Sequence, residues 1–206
     1  MDDARGLKEL QLDALREVAN IGAGHAATAL SQMTNRTIMI AVPEVNVRPL
    51  EEVTDLVGSP DEVVAAVLMH MMGDLTGRTL VMFPERSARA LCDILLRRKP
   101  GTTGPFTEME QSGLKEAGNI LASAYMNALS DFMGMMLVPS VPSLVVDLSG
   151  AVLTTTYLNF GHDRDFVFCV ETSFRVEGAS EPLSGHFLLL PDTPSLRAIF
   201  DAIRLT

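Results

Sequence analysis

The strongest constraint on this chain is that part of it occurs twice. Asp13 is followed four residues on by Glu17, three later by Asn20, and 23 later by Pro43. The pattern returns once with Ser in place of Asp, as Ser112, Glu116, Asn119 and Pro142, every member displaced by 99 residues. A repeat on this scale dictates two like structural units before any single element is assigned. The 206 residues then divide into one half over 7–98, a linker over 99–106 and a second half over 107–205, within one domain over 1–206.

The composition narrows the function classes. An apolar fraction of 47% with 20% charged residues describes a globular chain able to bury a large core. The net charge of −10 opposes binding to nucleic acid and to an anionic membrane. Cys92 and Cys169 are too few and too far apart for a disulfide scaffold or paired-cysteine zinc spacing, and they read as buried thiols in a reducing compartment. The acidic start Met1-Asp2-Asp3 lacks a signal-peptide layout, and the apolar run Val63–Met72 is about half a membrane span. The expected location is cytoplasmic.

In chain order, Leu7 to about Ser31 reads as a helix whose apolar stripe is Leu12, Leu15, Ala19, Gly22 and Ala26. At 100° per residue, Asp13, Glu17 and Asn20 share a separate polar arc of about 60°. Asp13 and Glu17 repel across one turn, and Arg16 relieves part of that. Gly22-Ala23-Gly24 imitates a dinucleotide fingerprint but lies inside a helix pattern, not between a strand and a helix, so it reads as small residues permitting close approach of another backbone. Thr37–Val42 reads as a strand ended by Pro43, and Glu51–Val57 as a short helix. Val63–Met72 fits helix or strand by periodicity. The turn chemistry of Gly73-Asp74 and Thr76-Gly77 before Leu80–Phe83 makes it a strand of a hairpin. Pro84 opens a helix to about Arg98, and Lys99–Pro105 is the clearest linker.

The second half repeats this order. Thr107 and Glu110 form a capping box for a helix to about Phe132, with Leu114, Ala117, Leu121 and Ala124 as its buried stripe. Ser112, Glu116 and Asn119 share another face. A strand near Met136–Val141 leads to Pro142, and Leu148–Asn159 is ambiguous with a lean to helix. Phe166–Phe174 and His186–Leu190 form a hairpin, and Asp192–Leu205 closes as a helix. The fold class is α+β: two halves of helix, strands, hairpin and helix around one sheet, related by a pseudo-two-fold axis, with both motif helices exposed. Pro43 and Pro142 read as architectural. His25, His70, His162 and His186 fit no metal spacing, and nothing suggests a cofactor of the chain's own.

At these motif residues the chain resembles the CheC family of phosphatases that act on the chemotaxis response regulator CheY. The doubled pattern, the two-half layout and the Gly73–Gly77 hairpin carry the resemblance over nearly the whole chain. It implies a tandem CheC-like fold and a catalytic set of Glu17, Asn20, Glu116 and Asn119, with Asp13, Ser112, Pro43 and Pro142 as accessory members. The substrate so implied is an aspartyl phosphate beside Mg²⁺ held by the regulator. Each Asn would orient a water in line with the phosphorus, and fixing that water is worth roughly 10²-fold, or about 2.7 kcal/mol. Each Glu would pair with a lysine of the regulator; Asp13 and Ser112 carry no assigned role. The resemblance leaves two other readings, a non-enzymatic adaptor for the regulator or the receptor deamidase CheD, and a flagellar-switch relative with idle motif helices.

Overall fold

The computed structural model describes residues 9–48, 50–53, 57–158, 167–177 and 181–204. The elements in order are α1 (Glu9–Thr34), β1 (Ile38–Arg48), α2 (Leu50–Val53), β2 (Val63–Gly73), β3 (Gly77–Pro84), α3 (Glu85–Leu95) and α4 (Glu108–Met133). They continue as β4 (Leu137–Pro139), β5 (Ser143–Leu148), α5 (Ser149–Leu158), β6 (Val167–Val176), β7 (Leu183–Pro191) and α6 (Thr193–Arg204). All strands join one antiparallel sheet in the order β1-β6-β7-β3-β2-β4, with β5 continuing the β4 edge along β2. The order is palindromic about the β7–β3 pair. Each half's opening strand lies not on its own hairpin but on the hairpin of the other half, β1 on β6 and β4–β5 on β2.

The central strands alternate as a sheet buried on both faces requires. Val81, Phe83, Phe187 and Leu189 face one core shared with α1, α3, α4 and α6. Leu80, Met82, Leu188 and Leu190 face a second core with Val53 of α2 and with Val152 and Leu153 of α5. Gly73 and Gly77 both take positive φ at the β2–β3 turn, and a Cβ there would run into the backbone carbonyls of Met136 and Leu190. The short helix expected over 51–57 is narrower, Leu50–Val53, with 54–56 outside the described residues and Val57 non-helical. Phe166, Asn159 and Leu205, expected at element ends, also lie outside the described residues.

Pro43 does not end β1, as the sequence suggested; it sits inside the strand, where the register on β6 slips between Ala41 and Glu44. The slip inserts one residue. Ile38, Ile40 and Val42 face the core before it, and Val45 and Val47 after it, so the inward positions change parity across the proline. The second half does the same. Pro139 pairs with Met71 and Ser143 with Leu68, leaving one extra residue on the outer strand around Pro142, and the inward positions pass from Leu137 to Leu144. Both prolines thus mark equivalent bulges on opposite sheet edges, where a missing N–H breaks no ladder.

The linker is tied down. The buried Asp93 carboxylate accepts from the Gly101 N–H at 2.7 Å, from Thr103 Oγ1 at 2.6 Å and from Thr102 Oγ1 at 3.0 Å. Burial alone would raise its pKa, but the Thr103 and Thr102 bonds hold it below the ordinary carboxylate value. The capping box forms as expected, and Glu110 also pairs with Arg98. The Thr107 hydroxyl, then Arg98, hold Glu110 down at about 2. Folded-state pKa values below the unfolded ones add stability above the unfolded pKa and lose it as pH falls toward about 2. Acid titration of thermal stability should therefore show a loss of Tm below about pH 4.5. In Glu110→Gln that loss should be shallower; an unchanged slope would rule out Glu110 as a contributor.

Glycine placement separates two roles that the sequence reading merged. A Cβ on Gly22 would stand 2.7 Å from Tyr125 Cδ1 and 3.0 Å from its Cα. Tyr125 cannot yield, since it stacks on Phe187 with ring centroids at 4.8 Å and shares a 3.0 Å hydrogen bond with Thr172. Apart from its chain neighbours and its own helix backbone, no described atom lies within 4 Å of a Cβ on Gly24, so Gly24 does not serve close approach. Gly22→Ala should cost about 1–3 kcal/mol through overpacking. Gly24→Ala should instead stabilise by about 0.5–1 kcal/mol. Denaturant unfolding measures both, and equal effects would refute the distinction.

Candidate functional site on the paired motif helices

α1 and α4 lie side by side on one face of the sheet, and they run antiparallel. Gly22 abuts Tyr125, while Leu15 and Val18 share an apolar crevice with Leu129, one turn further along α4. The buried stripes are those the three-four spacing dictates: Leu15, Ala19, Gly22 and Ala26 on α1, and Leu114, Ala117, Leu121 and Ala124 on α4. With those stripes turned to the sheet and to each other, the motif faces turn outward. Gly118 seats α4 closely on β2, for a Cβ there would lie 2.7 Å from Val67 Cβ.

On α1, Asp13, Glu17 and Asn20 are all exposed. Arg16 Nη1 lies 2.7 Å from Asp13 Oδ1, and the side chains are 49% and 58% exposed. Such a surface pair is worth ~0–1 kcal/mol, but it draws Asp13 away from its repulsion with Glu17. On α4, Ser112 and Glu116 are exposed and Asn119 is half-buried. Among the described residues, neither Glu17 nor Glu116 has an ion pair or hydrogen-bond partner within the chain. The structure therefore brings Asp13, Glu17 and Asn20 together on one helix face and Ser112, Glu116 and Asn119 on the other. Pro43 and Pro142 sit not on these helices but in the edge-strand bulges.

Sequence reasoning gave Ser123 no role. Its Oγ donates to Asn119 Oδ1 at 3.4 Å. The spacing of four within a helix was the available signal, since it makes the two side chains neighbours. Gly24 occupies the corresponding place on α1 and has no side chain to offer Asn20.

The chemistry open to these faces is positioning by neutral amides beside unengaged carboxylates. Burial, first, pushes both Cys92 and Cys169 up to about 12, so neither supplies a thiolate nucleophile near neutral pH. His25 and His70 are exposed and His186 is half-buried, with burial holding its pKa below the usual value; His162 lies outside the described residues. Among the described residues no three His, Cys, Asp or Glu group to hold a metal ion, and no helix is long and apolar enough to cross a membrane.

Comparison with known proteins agrees with this arrangement. The model of the CheC-like family matches twice, over residues 10–47 and 109–146, the same displacement as the motif. The chain is 36% identical to the CheY-P phosphatase CheC of Bacillus subtilis over 200 residues, 96% of each chain. It is 26% identical to the putative CheY-P phosphatase CheC1 of Halobacterium salinarum, over 66% of this chain and 68% of that one. The crystal structure of Thermotoga maritima FliY shares the fold, with a TM-score of 0.77 at 19% identity over 97% of this chain and 98% of that one. With the family model falling on both motif helices and a relative aligned nearly end to end, the chain belongs to the CheC-like family.

Proposed function

We propose that the chain is a phosphatase that hydrolyses the aspartyl phosphate of a CheY-like response regulator in the cytoplasm, using Asn20 and Asn119 to orient the attacking water. The observation that carries this reading is the outward placement of two Glu–Asn pairs on adjacent helices, at the two places where the family model matches. A relative aligned over 96% of each chain is named as a CheY-P phosphatase.

Hydrolysis of a phosphoryl group demands alignment and charge neutralisation more than covalent help. A regulator docked on α1 or α4 would bring its phosphoaspartate to the exposed carboxamide. The amide oxygen accepts a hydrogen bond from water and leaves a water lone pair toward the phosphorus, opposite the departing carboxylate. The amide is neutral throughout the working pH range, so it adds no repulsion toward the anionic phosphoryl group. Glu17 and Glu116, one turn earlier, would meet a cationic side chain of the regulator and set the approach. Mg²⁺ held by the regulator's own acidic residues would neutralise developing charge on the phosphoryl oxygens.

Asn20→Ala and Asn119→Ala should each lower regulator dephosphorylation in part, and the double variant should bring it near the regulator's intrinsic rate. Thermal stability should hold or rise, since both residues lie on exposed or half-exposed helix faces where Ala is the better helix former. Phosphate release from the phosphorylated regulator measures this, and a double variant with full activity would sink the mechanism. Binding that persists without any release by the unaltered protein would favour an adaptor.

Glu17→Ala and Glu116→Ala should act differently. They should raise the regulator concentration needed for half-maximal rate, and that shift should shrink with added salt. A fall in kcat alone would argue against docking.

A further inference from the structure

We propose that Ser123 is a positioning residue for Asn119, and that Gly24 leaves Asn20 without the same support, so the two sites differ by one hydroxyl; this rests on the phosphatase reading above. The two carboxamides occupy equivalent places in the repeat but unlike surroundings. Asn119 is half-buried on a helix seated hard against β2 by Gly118, and it has the Ser123 Oγ at 3.4 Å from Oδ1. Asn20 is exposed, and one turn on stands Gly24, with open space where a Cβ would be.

The consequence follows from torsions. A carboxamide orients water only when its oxygen, not its NH2 group, faces the attack path. The terminal amide torsion is broad and roughly two-fold, and a helix leaves Asn about two χ1 wells. An unsupported Asn therefore spends about one part in four of its time in the productive arrangement. A hydroxyl donating to one lone pair of Oδ1 selects the flip and the rotamer and leaves the second lone pair for the water. The bond is long, so it biases the amide and does not lock it. Its full effect is bounded at about fourfold in kcat, because it changes how often the amide is correctly placed and not what it does there.

Each site is tested with the other silenced, in the full-length chain, with phosphate release from a phosphorylated CheY-like regulator as the readout. In the Asn20→Ala background, Ser123→Ala should lower kcat about two- to fourfold with KM unchanged and Tm not reduced, and Ser123→Thr should restore kcat. In the Asn119→Ala background, Gly24→Ser should raise kcat by a similar factor, the open space there accepting the side chain. Ser123→Ala with unchanged kcat would overturn the proposal. So would a change confined to KM, which marks docking, or a Gly24→Ser protein no faster than its parent. Failure of the underlying reading looks different: there the double Asn variant keeps its activity. A dead double variant with an insensitive Ser123→Ala removes the positioning role alone.

Discussion

The β3–β7 ladder is the contact on which the rest of this structure depends. It joins the hairpins of the two halves at the centre of the sheet, with Leu80 beside Leu188 and Val81 beside Phe187. Both cores are built across it, because neighbouring residues on these strands alternate between the two faces. Without that pair the sheet would end in two hairpins, each exposing an edge. The exchange of opening strands strengthens the dependence. β1 needs β6 and β4–β5 needs β2, so neither half completes its share of the sheet alone.

The motif helices inherit their positions from this arrangement. α1 follows the pseudo-symmetry to meet α4, and the small Gly22 sets how near they come to Tyr125. Tyr125 in turn is fixed by Phe187 and Thr172, both on the second half's hairpin. A chain of packed groups therefore runs from the central strands to the helix faces that carry Asn20 and Asn119. For the proposed reaction, in which the protein contributes placement, rigid presentation matters because small displacements are costly.

The two halves have diverged around this shared frame. Site one has a charged accessory residue bound to Arg16, a glycine one turn beyond its amide, and full exposure. Site two has an uncharged serine at its start, a hydroxyl beside its amide and a deeper seat. The Glu and Asn at the middle of each pattern are alike. The differences lie in the residues that surround them, and under the proposed function these are the residues that would set the efficiency of each site separately.

Much of this was determined by the sequence alone. The doubled spacing, the apolar stripes of both long helices, the Thr107–Glu110 capping box and the glycine-bounded hairpin are local patterns, and local patterns act through neighbours a few residues away. What only the tertiary structure decided involves partners far along the chain. β5 escaped sequence reading because Ser143–Leu148 forms a mostly exposed edge with no clean alternation to betray it. Pro43 looked like a terminator, since its bulge exists only against β6, more than a hundred residues later. Gly22 and Gly24 are indistinguishable in a helix pattern until Tyr125 packs on one and leaves the other open. The exchange of opening strands has the same origin: either hairpin offers a β-strand an edge, and burying both faces at once selects the partner.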